Sequence, residues 1–574
     1  MKTKLTKALA IVLATQAIAI TPVVYGSATT RDMAGVDVTE MVSLVITRVQ
    51  GTEPVLEGLG YKADRVTPYY ETITIPAAEA KDLVPHLERL ENVRAVEQDH
   101  RTTYVPPEQI TITRSSENWD YYEERSKFAA EGPNDSYFID QSAWMEPHEN
   151  LAGVSDILRA WKASEKVEQL RVAIVDSGFD THPDLTWSEG INLYYPDDLA
   201  DAQDYRRYRT ECADVSNANY HGQQVGAVVG AISGNSYGVA GILDAKMVAV
   251  HVAGCDGSGF LSATTDGIRW AAGDPDVGMF PISEPAKIIN VSRGTGPGET
   301  DCPTYAQDAI DYAISRGSIV IISAGNHADT PSSKIAPGNC EGVITVANIG
   351  RSGEPSGSTS RGSAVELSAI GELVPAISPD GDEQTLMFGT SFSAPTTSGA
   401  FGLLWQQIPE LSPDDVIKIA RETARPLPGN PSDLGWGVVD PYRMLERATR
   451  LLSEAPAAYD HPERTGSVTE GLSHYLEAKG YVAGACSAVE MDLETELDSG
   501  KHIVIFEVPQ GEPLNRTRGT KFMSSRNTRF LTNISADDNS QYGYQICEDG
   551  DGRTCSLDAL IKVELTGIGQ GQNC

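Results

Sequence analysis

Short runs of β-branched residues recur through the middle of the chain, and stretches with helical spacing separate them. The runs span Val172–Val175, Met247–Val252, Ile288–Ser292, Ile319–Ser323 and Val343–Ala347. The helical stretches span Ala263–Ala272, Tyr305–Arg316, Phe392–Gln407 and Ser412–Thr423. Strands that are apolar at every position are buried on both faces, and helices between them form the crossovers of a parallel sheet. Residues 151–452 are therefore predicted to form an α/β unit, a parallel sheet with helices on both faces.

A second pattern precedes this unit. Within residues 29–104, Met41–Val49 and Val93–Asp99 have the composition of strands, and Ala77–Leu90 has the spacing of an amphipathic helix. We predict a small α+β domain for this stretch. Residues 105–150 are rich in proline and acids with little periodicity, which predicts a linker or activation region.

The end of the chain has a third pattern. Residues 453–463 contain Ala, Pro and His without periodicity and are predicted to form a linker. Residues 464–574 have shorter apolar runs and more turn residues, which predicts a small β-rich accessory domain. Its task stays open.

The first 28 residues have the pattern of a secretory signal. Three lysines precede an apolar, Ala-rich run, and small residues follow it. Gln16 and Pro22 interrupt a run that is already short for a bilayer, so we expect no stable membrane anchor. The chain is predicted to be secreted, either extracellular or periplasmic in transit.

The net charge argues against one class of partner, and the cysteine content indicates disulfides. The 574 residues include 45 Lys and Arg against 80 Asp and Glu, a net charge of −35 that repels phosphate backbones and argues against nucleic acid. Eight cysteines in an exported chain indicate disulfides. They fall into two groups of four, Cys212, Cys255, Cys302 and Cys340, then Cys486, Cys547, Cys555 and Cys574. Spacing alone fixes no pairing, and that of the second group stays open.

Three residues with catalytic chemistry lie at predicted element ends. Asp176 ends a strand, where α/β enzymes bind ligands. His221 opens a small-residue helix, and Ser391 begins another, where free N–H groups favour developing negative charge. Each residue alone is more often a turn or capping residue. Together, in the order Asp, His, Ser, they indicate a serine hydrolase.

The segments around these residues resemble the signatures of the subtilisin-like serine proteases, or subtilases. They read VAIVDSGFDTHPDL, HGQQVGAVVG, IISAGN and GTSFSAP, and the likeness extends over residues 151–450. It implies that Asp176 orients His221, that His221 is the general base, and that Ser391 attacks the scissile carbonyl. Asn326 matches the family's oxyanion-hole asparagine. His221-Gly222-Gln223-Gln224 and Pro395-Thr396-Thr397 depart from the family pattern beside the triad without removing a catalytic group.

The resemblance also implies a cleft for an extended peptide. One edge is DGSGF and the other NVSRG, and a third segment walls the primary pocket. The implied substrate-binding residues are Gly257, Ser258, Gly259, Ser292, Arg293, Gly294, Ser323, Ala324 and Gly325. The family usually has an aliphatic residue where Arg293 stands. We therefore expect Arg293 to bias the outer cleft toward acidic or polar peptides.

Disulfides and a metal follow from the same resemblance. It implies the pairs Cys212–Cys255 and Cys302–Cys340. Asp184 and Asn235, with the loop around Asn235, resemble the family's calcium loop, and their oxygens suit this hard cation. The alternative is that Asp184 is a turn residue and Asn235 an ordinary loop residue. Structural calcium is thus a possible ligand, and catalysis is expected to need no cofactor.

Residues 29–104 resemble an inhibitor-type propeptide, which chaperones folding and blocks the cleft until it is removed. The cleaved bond is expected within residues 104–137. The favoured function is a secreted serine endopeptidase, made as a zymogen and acting on polypeptides. One alternative is an exported pseudoprotease that binds peptides without cleaving them, but retention of all four catalytic residues argues against it. A lipase or esterase is disfavoured because those enzymes order the triad Ser, Asp, His.

Overall fold

The computed structural model describes residues 41–103, 132–145, 151–165, 168–194, 202–206, 220–298, 300–377, 384–429 and 431–454, and the backbone of strands between 476 and 564. The predicted signal, most of the predicted activation region and Cys212 lie outside these residues. No helix in the described part of the chain is long and apolar enough to cross a bilayer.

Residues 41–103, called the N-terminal unit here, form a four-stranded antiparallel sheet with one helix. The elements are β1 (Met41–Arg48), a 3-10 turn (Glu57–Leu59), β2 (Arg65–Val66), β3 (Tyr70–Pro76), α1 (Ala77–Leu87), β4 (Val93–Gln98) and β5 (Arg101–Thr103). Strands β2, β3, β1 and β4 pair in that order. Alternate residues of β1, Leu44 and Ile46, face Leu83 and Leu87 of α1 in one core. The short strand β5 leaves this sheet and pairs elsewhere.

The prediction of a linker or activation region for residues 105–150 is partly wrong. Residues 132–145 fold against the α/β unit and include helix α2 (Phe138–Met145). Phe138 and Met145, seven residues apart, are both buried in the main core. The surrounding prolines and acids dominate the composition, so a helix of two turns leaves too few apolar positions to stand out.

The α/β unit is built on seven parallel strands, which confirms the predicted fold class. Its first half contains α3 (Ile157–Ala163), β6 (Leu170–Asp176), β7 (Trp187–Asn192), α4 (His221–Gly230), β8 (Ala245–His251), β9 (Gly259–Phe260), α5 (Leu261–Ala271), β10 (Ile288–Val291) and β11 (Gly294–Thr295). Its second half contains α6 (Thr304–Ser315), β12 (Ile319–Ser323), a 3-10 turn (Ser332–Lys334), β13 (Ile344–Ile349), β14 (Leu367–Ile370), β15 (Val374–Ile377), β16 (Gln384–Met387), α7 (Thr390–Gln407), α8 (Pro413–Thr423) and α9 (Pro441–Glu454). The sheet order is β14-β13-β12-β10-β6-β8-β7.

Both faces of this sheet are covered. Along β6, Val172 and Ile174 belong to one core, while Ala173 and Val175 belong to the core on the opposite face. This alternation explains why the central strands read as continuous apolar runs. The edge strands β7 and β14 escaped prediction because they are short or carry polar residues such as Ser188 and Glu189.

Two further sheets follow residue 475, and all their pairings are antiparallel. Their strands are β17 (Leu476–Ala483), β18 (Cys486–Leu493), β19 (Lys501–Val508), β20 (Thr520–Ser525), β21 (Arg529–Ile534), β22 (Gln541–Glu548) and β23 (Val563–Glu564). One sheet has the order β17-β18-β21 and the other β20-β19-β22-β23. The β-rich character expected of this part of the chain is present.

Candidate active site

Asp176 and His221 form a buried pair. Asp176 is the last residue of β6, and His221 is the first of α4. The imidazole Nδ1 lies 2.8 Å from Asp176 Oδ1, and both side chains are almost fully excluded from solvent. The Ser177 backbone N–H donates to the same carboxylate oxygen at 2.8 Å, which holds the carboxylate in place. A carboxylate at Nδ1 fixes the imidazole tautomer that leaves Nε2 able to accept a proton.

Glycine at position 222 permits this approach. The Gly222 backbone N–H donates to Ser177 O at 2.6 Å. A Cβ at this position would lie 2.7 Å from both Ser177 O and the Phe179 ring. Any larger residue would therefore push the start of α4 away from the end of β6.

Ser391 occupies the first turn of α7. Its neighbour Phe392 packs edge-on against the His221 ring, with centroids 5.9 Å apart. The start of α7, which carries Ser391, therefore lies beside His221. Ser391 Oγ donates to Ser292 O at 3.3 Å, and Ser292 Oγ donates to Ser391 O at 2.9 Å. The first N–H groups of a helix have no intrahelical acceptor, so the Ser391 N–H is available to an anion.

Asn326 lies beside the start of this helix with its amide held in one orientation. Asn326 Oδ1 accepts hydrogen bonds from Thr390 N and Thr390 Oγ1, each at 2.9 Å. The amide nitrogen Nδ2 is then the half left to donate into the cleft, whose walls include Asn326 and Ser391. Gly389 has φ +124°, and a Cβ there would lie 2.9 Å from Asn326 Nδ2. The helix start therefore needs glycine for both its backbone and its closeness to the amide.

The two predicted cleft edges are present, and strand β5 of the N-terminal unit lies between them. Arg101 and Thr102 pair antiparallel with Phe260 and Gly259 of β9. Thr102 and Thr103 pair antiparallel with Thr295 and Gly294 of β11. Gly257 and Ser258 form the turn before β9, where the Gly257 φ is +73°.

Other predicted pocket residues separate into two groups. Ser323 and Gly325 line the cleft together with Ser292 and Gly294. Ala324, between them, is 1% exposed and packs with Ala347 and Ile349 in a core cluster, so the structure does not bring it to the cleft. The alternation of an extended backbone turns its side chain the other way.

Arg293 lies within the cleft floor and is fully buried. Its Nη2 donates to Gly257 O at 2.8 Å, to Thr102 O at 3.3 Å and to Thr102 Oγ1 at 3.2 Å. Its Nη1 lies 3.8 Å from Asp176 Oδ1. Burial lowers the pKa of Arg293, an effect that the nearby Asp176 carboxylate opposes. An arginine at this position therefore links both cleft edges with the Asp176–His221 pair.

The predicted calcium residues meet in a hydrogen-bonded loop. Asp184 Oδ1 accepts from Asn235 Nδ2 at 2.7 Å, and Asp184 Oδ2 accepts from Val239 N at 2.8 Å. Asp135, which the sequence analysis missed, accepts from Gly234 N in the same loop. These N–H donors would compete with a calcium ion for the carboxylate oxygens of Asp184 and Asp135. No group of three or more His, Cys, Asp or Glu side chains in the described ranges is arranged to hold a metal. Calcium stays a prediction.

One predicted disulfide is present. Cys302 and Cys340 are bonded with an S–S distance of 1.94 Å and Cα atoms 5.1 Å apart. Cys255 is also disulfide-bonded, but Cys212 lies outside the described residues, so that pairing stays a prediction.

Sequence reasoning missed two side chains that support the site. Thr390 orients the Asn326 amide, and its position directly before Ser391 was the available signal. His251 lies opposite Asp176 in the β6–β8 register, and burial lowers the pKa of this histidine to about 4. It is therefore neutral at ordinary pH and adds no charge beside Asp176.

The part of the chain that carries this site is similar in sequence to known proteins. The model of the subtilase family matches residues 168–437. An extracellular protease of Xanthomonas campestris is 31% identical over 333 residues, which cover 54% of this chain and 56% of that protein. Thermitase of Thermoactinomyces vulgaris is 28% identical over 316 residues, which cover 55% of this chain and 99% of thermitase. A solved structure titled as proteases from Pseudoalteromonas arctica is 31% identical, covering 55% of this chain and 99% of that one, with a TM-score of 0.48. The chain spans about half the length of the Xanthomonas relative.

Proposed function

Because the chain belongs to the subtilase family through residues 168–437, we propose that it is a serine endopeptidase that hydrolyses polypeptides. The observation that carries the proposal is the buried Asp176–His221 pair beside the start of the helix that bears Ser391. Relatives in the family are named as proteases, including one named as a serine proteinase.

The proposed mechanism assigns one task to each side chain. His221 accepts the Ser391 hydroxyl proton while Ser391 Oγ forms a bond to the scissile carbonyl carbon. Asp176 stabilises the imidazolium that results, and His221 then gives the proton to the leaving amine. Water attacks the acyl-enzyme in the second half of the cycle, again with His221 as the base. The enzyme chain itself supplies every proton-transfer group.

The negative oxygen of the tetrahedral intermediate would be held by Asn326 Nδ2 and the Ser391 N–H. Support for this role comes from Thr390, which occupies the carbonyl half of the Asn326 amide. A donor fixed before reaction needs no reorganisation as charge develops, which is why such groups contribute strongly to rate.

We also propose that the N-terminal unit is an inhibitory propeptide and that the enzyme is secreted as a zymogen. Strand β5 fills the position that an extended substrate would take between β9 and β11. Such pairing uses backbone hydrogen bonds and blocks access to Ser391. Secretion is supported by the basic and apolar start of the chain and by relatives named as extracellular proteases.

The proposal is tested by comparing processed wild-type protein with Ser391→Ala on unfolded casein. We expect the variant to lose activity by a factor of about 10⁴ or more, since the nucleophile is gone. A serine-directed inhibitor should abolish wild-type activity. The control Ser315→Ala removes a hydroxyl at the end of α6 and should cleave like wild type. Equal digestion by wild type and Ser391→Ala would disprove the serine mechanism, and no digestion by either would favour a peptide-binding pseudoprotease.

A further inference from the structure

The cleft floor contains a charged side chain at the point where an incoming peptide is held. Arg293 lies between β10 and β11 and reaches under β5 to the opposite edge, where Nη2 donates to Gly257 O. Thr102 of β5 is fully buried above it, with its backbone oxygen and its hydroxyl both accepting from the same nitrogen. The guanidinium therefore contacts both the main chain and the side chain of the bound strand.

The hydrogen-bonding capacity of Arg293 is only partly used. Its Nε is buried without a hydrogen-bond partner among the described residues, and its Nη1 lies 3.8 Å from Asp176 Oδ1, too far for a normal hydrogen bond. A buried donor without an acceptor is unfavourable, and an apolar neighbour cannot relieve it. Nη2 is the guanidinium nitrogen that faces β5, and the Thr102 hydroxyl accepts from it at 3.2 Å. An aliphatic side chain of the same shape would take this acceptor away from a buried cation that already has unmet donors, so a side chain that offers an oxygen is favoured.

The charge balance sets a second condition. Asp176 Oδ1 lies 3.8 Å from Arg293 Nη1, so the positive charge already has a buried negative partner. A peptide carboxylate at the position of Thr102 would add a second negative charge close to Asp176 in a region excluded from water. Desolvation and repulsion then act against it. A neutral hydroxyl or amide can accept a hydrogen bond from Arg293 without adding a negative charge near Asp176.

We propose that Arg293 makes the subsite occupied by Thr102 selective for neutral side chains with an acceptor oxygen, such as Thr, Ser or Asn, over both aliphatic and acidic ones. The inference deepens the proposed endopeptidase function and rests on it. It also narrows the sequence-based expectation that Arg293 biases the outer cleft toward acidic or polar peptides. Because the guanidinium lies beside Asp176, neutral polar side chains are favoured and acidic ones are not.

The test uses peptides of residues 98–112 that carry Thr, Val, Asn or Asp at position 102. Thr and Val differ by a hydroxyl in place of a methyl group, and Asn and Asp differ by charge. Each peptide competes with fluorescent casein for the processed enzyme. We expect Thr to inhibit about tenfold more tightly than Val, and Asn about tenfold more tightly than Asp, the size expected of one hydrogen bond to a charged group.

Arg293→Met removes the guanidinium but keeps an unbranched side chain. We expect the preference for Thr over Val to disappear or reverse in this variant. The control Arg447→Met removes a partly exposed charge that pairs with Glu422 on the neighbouring helix, and its preferences should match wild type. The wild-type comparison needs no variant, so a misfolded Arg293→Met leaves the test intact.

The outcomes separate the two claims. Casein cleavage with equal inhibition by the Thr and Val peptides, or with Asp preferred over Asn, would overturn the role of Arg293 and leave the protease function standing. Failure of the wild-type protein to cleave casein would remove the protease function and this inference with it.

Discussion

The α/β unit contacts the N-terminal unit in several places, and two of them differ clearly in chemistry. At the cleft, β5 pairs through its backbone with β9 and β11. At the starts of α5 and α6, charged side chains of the N-terminal unit accept hydrogen bonds from the helix ends. The first contact depends on an extended backbone, and the second depends on particular residues.

The helix-end contact is built from carboxylates. Asp99 accepts from Ser262 N at 3.1 Å and from Ser262 Oγ at 2.6 Å at the start of α5. Glu97 accepts from Thr304 N at 2.9 Å at the start of α6. Carboxylates suit these positions because the first N–H groups of a helix lack partners and its dipole is positive there.

If the N-terminal unit is the proposed inhibitor, this difference would let the enzyme retain it and still release its products. A substrate peptide can reproduce the backbone pairing in the cleft but has nothing at the helix ends. The N-terminal unit makes both contacts. We therefore expect changes at Asn326 to affect turnover alone, and changes at the helix ends to affect retention of the N-terminal unit alone.

Within this comparison, the largest effect is expected from Asn326→Ala, which should lower kcat about 10²- to 10³-fold with little change in KM, since the amide would act only on the developing oxyanion. Steady-state cleavage of a fluorogenic peptide measures both constants. The matched control Asn339→Ala loses hydrogen bonds to Thr300 O and Ser333 O and should affect stability rather than kcat. A fall in KM and kcat together would contradict the oxyanion role.

An intermediate effect is expected from pH at Asp99. Burial, with the Asp266 carboxylate nearby, raises the pKa of Asp99 to about 6, although Ser262 and Arg65 oppose the shift. The complex therefore holds the proton more tightly than the separated unit does. Inhibition should be strongest below about pH 4, weaken as pH rises through 6, and change by at most about 100-fold.

The measurement is the inhibition constant of a synthetic segment 29–104 against the processed enzyme between pH 4 and 7. Burial also lowers the pKa of the adjacent His100, so protonation of His100 would weaken inhibition as pH falls. The segment and its Asp99 variant should therefore both carry His100→Gln. Adding Asp99→Asn, which keeps an acceptor for Ser262 without a charge, should flatten the profile. An unchanged slope in that variant would exclude Asp99 as the titrating group.

The smallest effect is expected from Arg94→Ala. Arg94 Nη1 lies 2.7 Å from Asp308 Oδ2 on α6, but both side chains are partly exposed. Exposed ion pairs contribute about 0.2–1 kcal/mol, so inhibition should weaken about five-fold or less. The difference should vanish in high salt because ions screen the pair. If Arg94→Ala weakened inhibition as much as deprotonation of Asp99 does, exposed ion pairs such as Arg94–Asp308 would contribute as much to the helix-end contact as its buried carboxylates.

Much of the fold and of the candidate site could be predicted because the proposed catalytic residues Asp176 and Ser391 stand at the ends of strongly patterned elements. Asp176 closes an apolar run, and Ser391 opens a helix of small residues. Helix α2 could not be predicted because its burial depends on neighbours distant in sequence. The position of the Arg293 guanidinium could not be predicted from the sequence pattern either, since its partners Thr102, Gly257 and Asp176 come from three separate segments.

The central claim is that Ser391 is a nucleophile activated by His221. The most direct measurement is mass spectrometry of the processed protein after reaction with a fluorophosphonate, which forms a bond only to an activated serine oxygen. We predict one adduct, on Ser391, formed at least about 10³-fold more slowly in His221→Ala. An adduct on another serine, or labelling of Ser391 at the same rate without His221, would contradict it.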